Sequence, residues 1–377
     1  MVQAPSPKRP YGGETSNPKR ICRRRPSKRD LRITLTPFLQ VDSEDYKYIN
    51  YYGEISIGKP EQKFRVLFYN GDNGVVWVPN LNCDLTASDA LANLNRYDGS
   101  ISEMFMSVDN PSDWTTGYQG GLHVRGLYGN ETLVLGSMEL HSATFGRALY
   151  VSKEFGPFGV DGMFPLGPLF QVPETNVDTF MRTAIKEQVI SNPEFSVYLP
   201  PDRSGLDATG EIVLGDIDST RYTGDLTYVN TVSNTKWVIE IDDITSRGEI
   251  LGKSGRAEVD MGESRVFVSR DVAEAIHLPI PGAKFEEWYW TVPCNLAQNT
   301  EHRVSFTIGG RAFHIPMADL PSKPPHEDDV DCASVIAISD DDEDEWSLGV
   351  PFIKNNYCVF DMDRTRGPRI GIAELRF

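Results

Sequence analysis

The sequence predicts a mostly β protein built as two related β halves. Thirty-two glycines and 25 prolines punctuate many short segments rich in Val, Ile, Thr, Tyr and Phe across 377 residues, which is strand-and-turn spacing and not helical spacing. A chain of this length also exceeds the roughly 100–200 residues of one ordinary domain. Finally, "VLFYNGDN" at 66–73 and "AEVDMGES" at 257–264 lie about half a chain apart. Each is a strand running into a residue pair, a glycine and polar residues, and such a repeat suits two similar lobes that each present one loop to a shared cleft.

Taken in order, residues 1–32 read as a basic, Pro-rich arm with too few apolar residues to offset the entropy of ordering. From about Tyr48 short strands are expected in "YINYYGEISIG", "KFRVLFY" and "GVVWVP", then a loop with a helical turn in "DLTASDALANLNRYD". "GNETLVLGSMELHSATFGRALYV" reads as paired strands. Val177, Phe180, Met181 and Ile185 recur at helical spacing and predict a helix in "NVDTFMRTAIKEQVI". "EFSVYLP" and "GEIVLGDI" return to strand, and "WVIEIDDITSRGEIL" alternates like a hairpin. "DVAEAI" is a short helix, and "HRVSFTIGGRAFHIP" a hairpin with a Gly-Gly turn. The acids from Asp340 to Glu345 read as a solvated loop before the closing strands "WSLGVPFIKNNYCVFDMD" and "PRIGIAEL".

The net charge of −17 is unevenly spread: residues 1–32 carry ten Lys or Arg against two acids, and the remainder carries 27 basic and 52 acidic side chains. Phosphate repels such a body, so nucleic acid is not expected to bind through it. No run of about 18 apolar residues suggests a membrane span. The five cysteines contain no CxxC pair, the six histidines stand singly, and no GxGxxG or P-loop occurs, so no metal or cofactor is expected. The opening "MVQAPSPKRPYGG" lacks the apolar core of a signal peptide. An intracellular, even nuclear, location is therefore expected, with the secretory pathway as the alternative if the start is incomplete.

From about residue 48 to 377 the motifs fall in the order of one family. "YYGEISIGKPEQKFRVLFYNG" with "VWVP", then "VDGMFPLG", "NPEFSVYLP", "GEIVLGDIDSTRYTGDLTYV", "AEVDMGES" and "WSLGVPFIKNNYCVFD" resemble the pepsin-like aspartic proteases. The resemblance implies a bilobal fold, an N-terminal lobe at 33–200 and a C-terminal lobe at 201–377. It also implies a peptide or protein ligand in the cleft between them and a monomeric chain. Peptide hydrolysis in this family uses two aspartates that share a proton, because like charges about 3 Å apart cannot both ionise. One activates a water, the other donates to the carbonyl, and a hairpin flap closes over the substrate.

Onto this sequence the resemblance places the second-lobe acid at Asp260, followed by Gly262. The first loop has no acid in register. Counting forward from "VLF" reaches Tyr69, counting back from Trp77 reaches Asn70, and Gly71 follows. Asp72 is a candidate substitute, displaced by two or three residues of about 3.3 Å each, roughly 6–10 Å. The hydroxyl residues that lock the family's two loops together correspond to Asn70 and Met261, and Met donates no hydrogen bond. Glu263, Pro165 and Val350 are further departures. The flap is expected in "TGYQGGLHVRGLYG", its tyrosine at Tyr118 or one place on at Gln119, beside Gly120. Tyr69 is expected to pack the cleft floor with its hydroxyl on Asp260. Asp260, with no like-charged neighbour, is expected to be an ordinary carboxylate or a structural acceptor of backbone N–H groups.

Cys294 and Cys332 fall where the family has a C-lobe disulfide, and Cys83 matches half of another bridge. The arm reads equally as a nuclear-localisation cluster, a remnant of the family's basic propeptide or a solvated tail. Asn130-Glu131-Thr132 is a glycosylation triplet that matters only in a secreted chain. Three functions follow as expectations: a proteolytically impaired family member that keeps a peptide-binding cleft; an active endopeptidase using Asp260 and a relocated Asp72; or a scaffold acting through its arm and acidic loop.

Overall fold

The computed structural model describes residues 31–377 except 72–73, 86–88, 110–112, 119–120, 174, 202–206, 327, 340–344, 364 and 377. Strands β1 (Arg32–Val41), β2 (Lys47–Ile57), β3 (Gln62–Tyr69), β4 (Trp77–Asp84), β5 (Met106–Ser107), β6 (Asp113–Gly117), β7 (His123–Leu135), β8 (Met138–Val151) and β9 (Gly162–Pro165) come first. The short helix α1 (Phe180–Lys186) leads to β10 (Glu194–Tyr198), β11 (Gly210–Leu214) and β12 (Tyr222–Asn230). These twelve strands join the closing strands Asn356–Asp361 and Arg369–Leu375 in one 14-stranded sheet. Strands between residues 238 and 348 form three smaller sheets. The fold is mostly β, as expected. No helix among the described residues is long and apolar enough to cross a membrane.

Strand β3 shows why the site sits where it does. Its run Val66-Leu67-Phe68 is fully buried, as befits a strand covered on both faces. It lies between β2, antiparallel, and β9, parallel, with Tyr69 opposite Pro165. The core continues into the second half, where Phe195 stacks on Phe360 at 4.7 Å. There the buried Trp237 Nε1 donates to the Leu166 carbonyl at 2.9 Å.

Four local expectations need correction. The first strand begins at Arg32, not near Tyr48: β1 pairs with β11 and then β2. Arg32 is therefore not tail; it bridges Glu211 at 2.6 Å and Asp218 at 2.7 Å. The helix near 180 is only seven residues long, because the chain before it is held by a Gln171–Asp178 bridge and a Val172–Val177 bond. Val177 thus lies outside it. "WVIEIDDITSRGEIL" is not one hairpin either. Val238–Ile241 pairs with Gly255–Val259, while Asp243–Ser246 turns to pair with Glu249–Ile250. The Gly-Gly hairpin is present, with both glycines at positive φ, where a side chain would be strained.

Helix α2 (Arg270–His277) carries a fully buried histidine. His277 Nδ1 donates to the Ala273 carbonyl at 2.7 Å, Nε2 accepts from Ser334 Oγ at 2.8 Å, and the ring stacks on Trp290 at 4.8 Å. Burial favours the neutral imidazole and pulls its pKa down to about 4. With an unfolded value near 6.5, its contribution is complete above about pH 6.5 and lost as pH falls through about 4. That is on the order of 3 kcal/mol. Denaturant midpoints measured from pH 7.5 to about 4 should fall more for wild type than for His277→Gln. Parallel curves would refute this.

Candidate active site

Two loops meet at the end of β3. Asn70, completely buried, leaves the sheet and spans to the loop after strand Gly255–Val259. Its Nδ2 donates to the Val259 carbonyl at 2.5 Å, and its Oδ1 accepts the Met261 N–H at 2.7 Å. One carboxamide thus satisfies a donor and an acceptor that burial would otherwise leave unpaired. The lock expected to be weakened by Met261 is made from one side.

Asp260 is fixed from both loops: its Oδ1 accepts the N–H of Asn70 at 3.1 Å and of Gly262 at 2.9 Å. A side chain on Gly71 would start 2.8 Å from Asp260 Oδ2, and one on Gly262 would start 2.3 Å from the Tyr69 Cβ. Both positions therefore require glycine for close approach. Asn50, also buried, donates to the Gly262 carbonyl at 3.0 Å and braces the same loop. Nothing in the sequence pattern singled out Asn50.

Tyr69 does not reach Asp260 with its hydroxyl, contrary to expectation. It donates to the Tyr118 hydroxyl at 3.2 Å, the two rings standing edge to face at 5.7 Å. Trp77 Nε1 donates to the same oxygen at 2.9 Å, and the Trp77 ring packs on Phe155 at 5.0 Å. Tyr69 and Trp77 belong to an apolar cluster with Leu67, Leu122, Val124 and Met163, which is why the phenol turns into it. Tyr118 follows β6, so this contact ties the β6–β7 hairpin to the end of β3. Asp72, Gln119 and Gly120 lie outside the described residues. Cys294 and Cys332 are disulfide-bonded, with Cα atoms 5.0 Å apart. Cys83 is a buried free thiol.

Asp260 does have a like-charged neighbour. Burial, and beyond it the charge of Asp260, pushes the Glu263 acid up to about 7, against the pull of Arg265. Its Oε1 accepts the Arg265 N–H at 3.1 Å. The sequence marked Glu263 only as a departure from the family pattern; an acid three residues after Asp260 was the available signal. Glu258 pairs with Lys236 at 3.5 Å. Among the described residues no cluster of three or more His, Cys, Asp or Glu side chains could hold a metal.

The eukaryotic aspartyl protease family model matches residues 50–375. The chain belongs to that family. It is similar to a "Probable aspartic-type endopeptidase CTSD" of Arthroderma benhamiae, 28% identical over 90% of this chain and 63% of the relative. Human gastricsin is 28% identical over 89% of this chain and 84% of its own length. Rhizopuspepsin-4 of Rhizopus niveus is 27% identical over 88% and 79%. The chain thus spans less than two thirds of the fungal CTSD relative.

Two outcomes are expected. Asn70→Ala orphans the Met261 N–H and the Val259 carbonyl and should lower stability by about 2–4 kcal/mol. Asn70→Thr, whose hydroxyl both donates and accepts, should lose less than half of that in the same denaturant titration. Glu263 acts oppositely to His277: its raised folded pKa adds stability as pH falls through about 7 toward the ordinary carboxylate range. Glu263→Gln should abolish that gain; an unchanged pH profile would show that the carboxyl does not titrate there.

Proposed function

We propose that this eukaryotic aspartyl protease family member is proteolytically impaired and uses its cleft to bind a peptide or protein segment. The cleft lies between a lobe of residues 33–200 and one of 201–377, in a monomeric chain. The observation that carries this reading is the Asn70 carboxamide bridging Val259 and Met261. That is the part the family's locking hydroxyl is expected to play, and it supports the register in which the residue before it, Tyr69, stands where the first catalytic acid belongs. A phenol with a pKa near 10 is no general base at acidic or neutral pH, and the hydroxyl is already committed to Tyr118. Asp260 then acts as an acceptor that holds two backbone N–H groups. Tyr118, whose hydroxyl accepts from Trp77 Nε1, is the flap tyrosine in this reading.

Cleavage of a denatured protein from acidic to neutral pH tests it. Wild type should be inert. Tyr69→Asp should cut, and the added change Asp260→Ala should remove that activity. Cleavage by wild type that both Asp72→Ala and Asp260→Ala abolish would overturn the proposal and identify Asp72 as the relocated acid.

A further inference from the structure

Thr132 is 1% exposed in β7, and its Oγ1 is buried without a hydrogen-bond partner among the described residues. Its backbone is fully used: the N–H donates to Glu131 Oε1 at 2.8 Å and the carbonyl accepts the Gly58 N–H at 2.9 Å. The side-chain hydroxyl contributes nothing to these bonds. A buried hydroxyl that has given up water for no partner destabilises the fold. Valine has the same shape and no polar atom, so folding alone favours valine here. The hydroxyl is, however, the group that the triplet Asn130-Glu131-Thr132 requires as a glycosylation acceptor.

The surroundings of Asn130 agree. Asn130 is half-buried and lines a pocket of about 270 Å³ with Ser142, Thr144, Asn176, Asp178 and Thr183. That is a mostly polar hollow, with Val108 and Val177 completing its wall, on the scale of a single sugar ring. Thr144 Oγ1 donates to Asn130 Oδ1 at 2.8 Å, which orients the amide and leaves its nitrogen as the atom for attachment. In the sheet Asn130 stands opposite Met106 of β5. Met106 and its neighbour Met104 are 56% and 47% exposed, an apolar strip that a sugar seated beside it would shade from water. The Cys294–Cys332 disulfide belongs to an oxidising compartment, the kind in which such triplets are modified.

We propose that Asn130 carries an N-linked glycan whose first sugar occupies this pocket. The donor is an oligosaccharide on a lipid pyrophosphate. The Asn130 Nδ2–C1 bond forms, the C1–O bond to pyrophosphate breaks, the lipid pyrophosphate leaves, and the amide nitrogen gives up one proton. The transfer precedes closure of β7, because folding buries Thr132.

The test takes the full chain expressed through the secretory pathway of eukaryotic cells and treats it with a peptide N-glycosidase. The intact mass should fall, and the peptide containing residue 130 should carry aspartate in place of asparagine. Asn130→Gln and Thr132→Val should show no shift, while Thr132→Ser should retain it. Unmodified Asn130 in the wild-type protein overturns the proposal. A second arm uses chain made in bacteria, without glycan. There Thr132→Val should melt above wild type; an equal or lower melting temperature would mean that the hydroxyl has a structural task, and would also overturn it.

Discussion

The meeting of the two loops depends on one buried carboxamide. Asn70 reaches out of the first half and holds a carbonyl and an N–H of the second, and the Asp260 carboxylate answers by accepting the Asn70 N–H. Because Asn70, Val259 and Met261 are buried and Asp260 partly so, each bond matters chiefly through what its absence would leave unpaired. The close approach of Gly71 to Asp260 and of Gly262 to Tyr69 follows from this clamp. A hydroxyl can make the same pair of bonds, but the longer amide does so alone, and Met261 opposite it need contribute only its backbone. The Asn70 carboxamide thus holds the two loops together with no hydrogen bond from the Met261 side chain.

The aromatic side of the site has its own logic. A carboxylate at the end of β3 would face a desolvation penalty against Leu67, Trp77 and Met163 unless hydrogen bonds or a shared proton relieved it. A tyrosine meets no such penalty. Its ring adds apolar contact, and its hydroxyl finds Tyr118. A tyrosine at this place therefore suits the packing of the apolar cluster at the end of β3.

Most of the architecture was legible because the relevant signals are local. The apolar run 66–68, the paired Gly-rich loops and the Gly-Gly turn all carry their structure in a few neighbouring residues. What escaped was non-local. Strand β1 has no strong pattern of its own; it forms because β11 and β2 offer edges and because Glu211 and Asp218 receive Arg32. Asn50 is an ordinary polar residue until Gly262, 212 positions away, comes within reach. The hydroxyl of Tyr69 was assigned to the nearest known acid, whereas the apolar cluster around Trp77 decided its direction. Glu263 was visible as a residue, but its shifted acidity comes from burial, which sequence does not display.

Strand β10 pairs with β11 on one side and with Asn356–Asp361 on the other. During synthesis, its second edge has no partner until Asn356–Asp361 is made, roughly 150 residues and many seconds later at ordinary elongation rates. Throughout that time Phe195 lacks Phe360, and an open, apolar strand edge is presented to any neighbouring chain. A nascent molecule of this architecture is thus exposed to misassembly until that strand arrives. Its closing strands serve as the seal on a sheet whose first strand was made more than three hundred residues earlier.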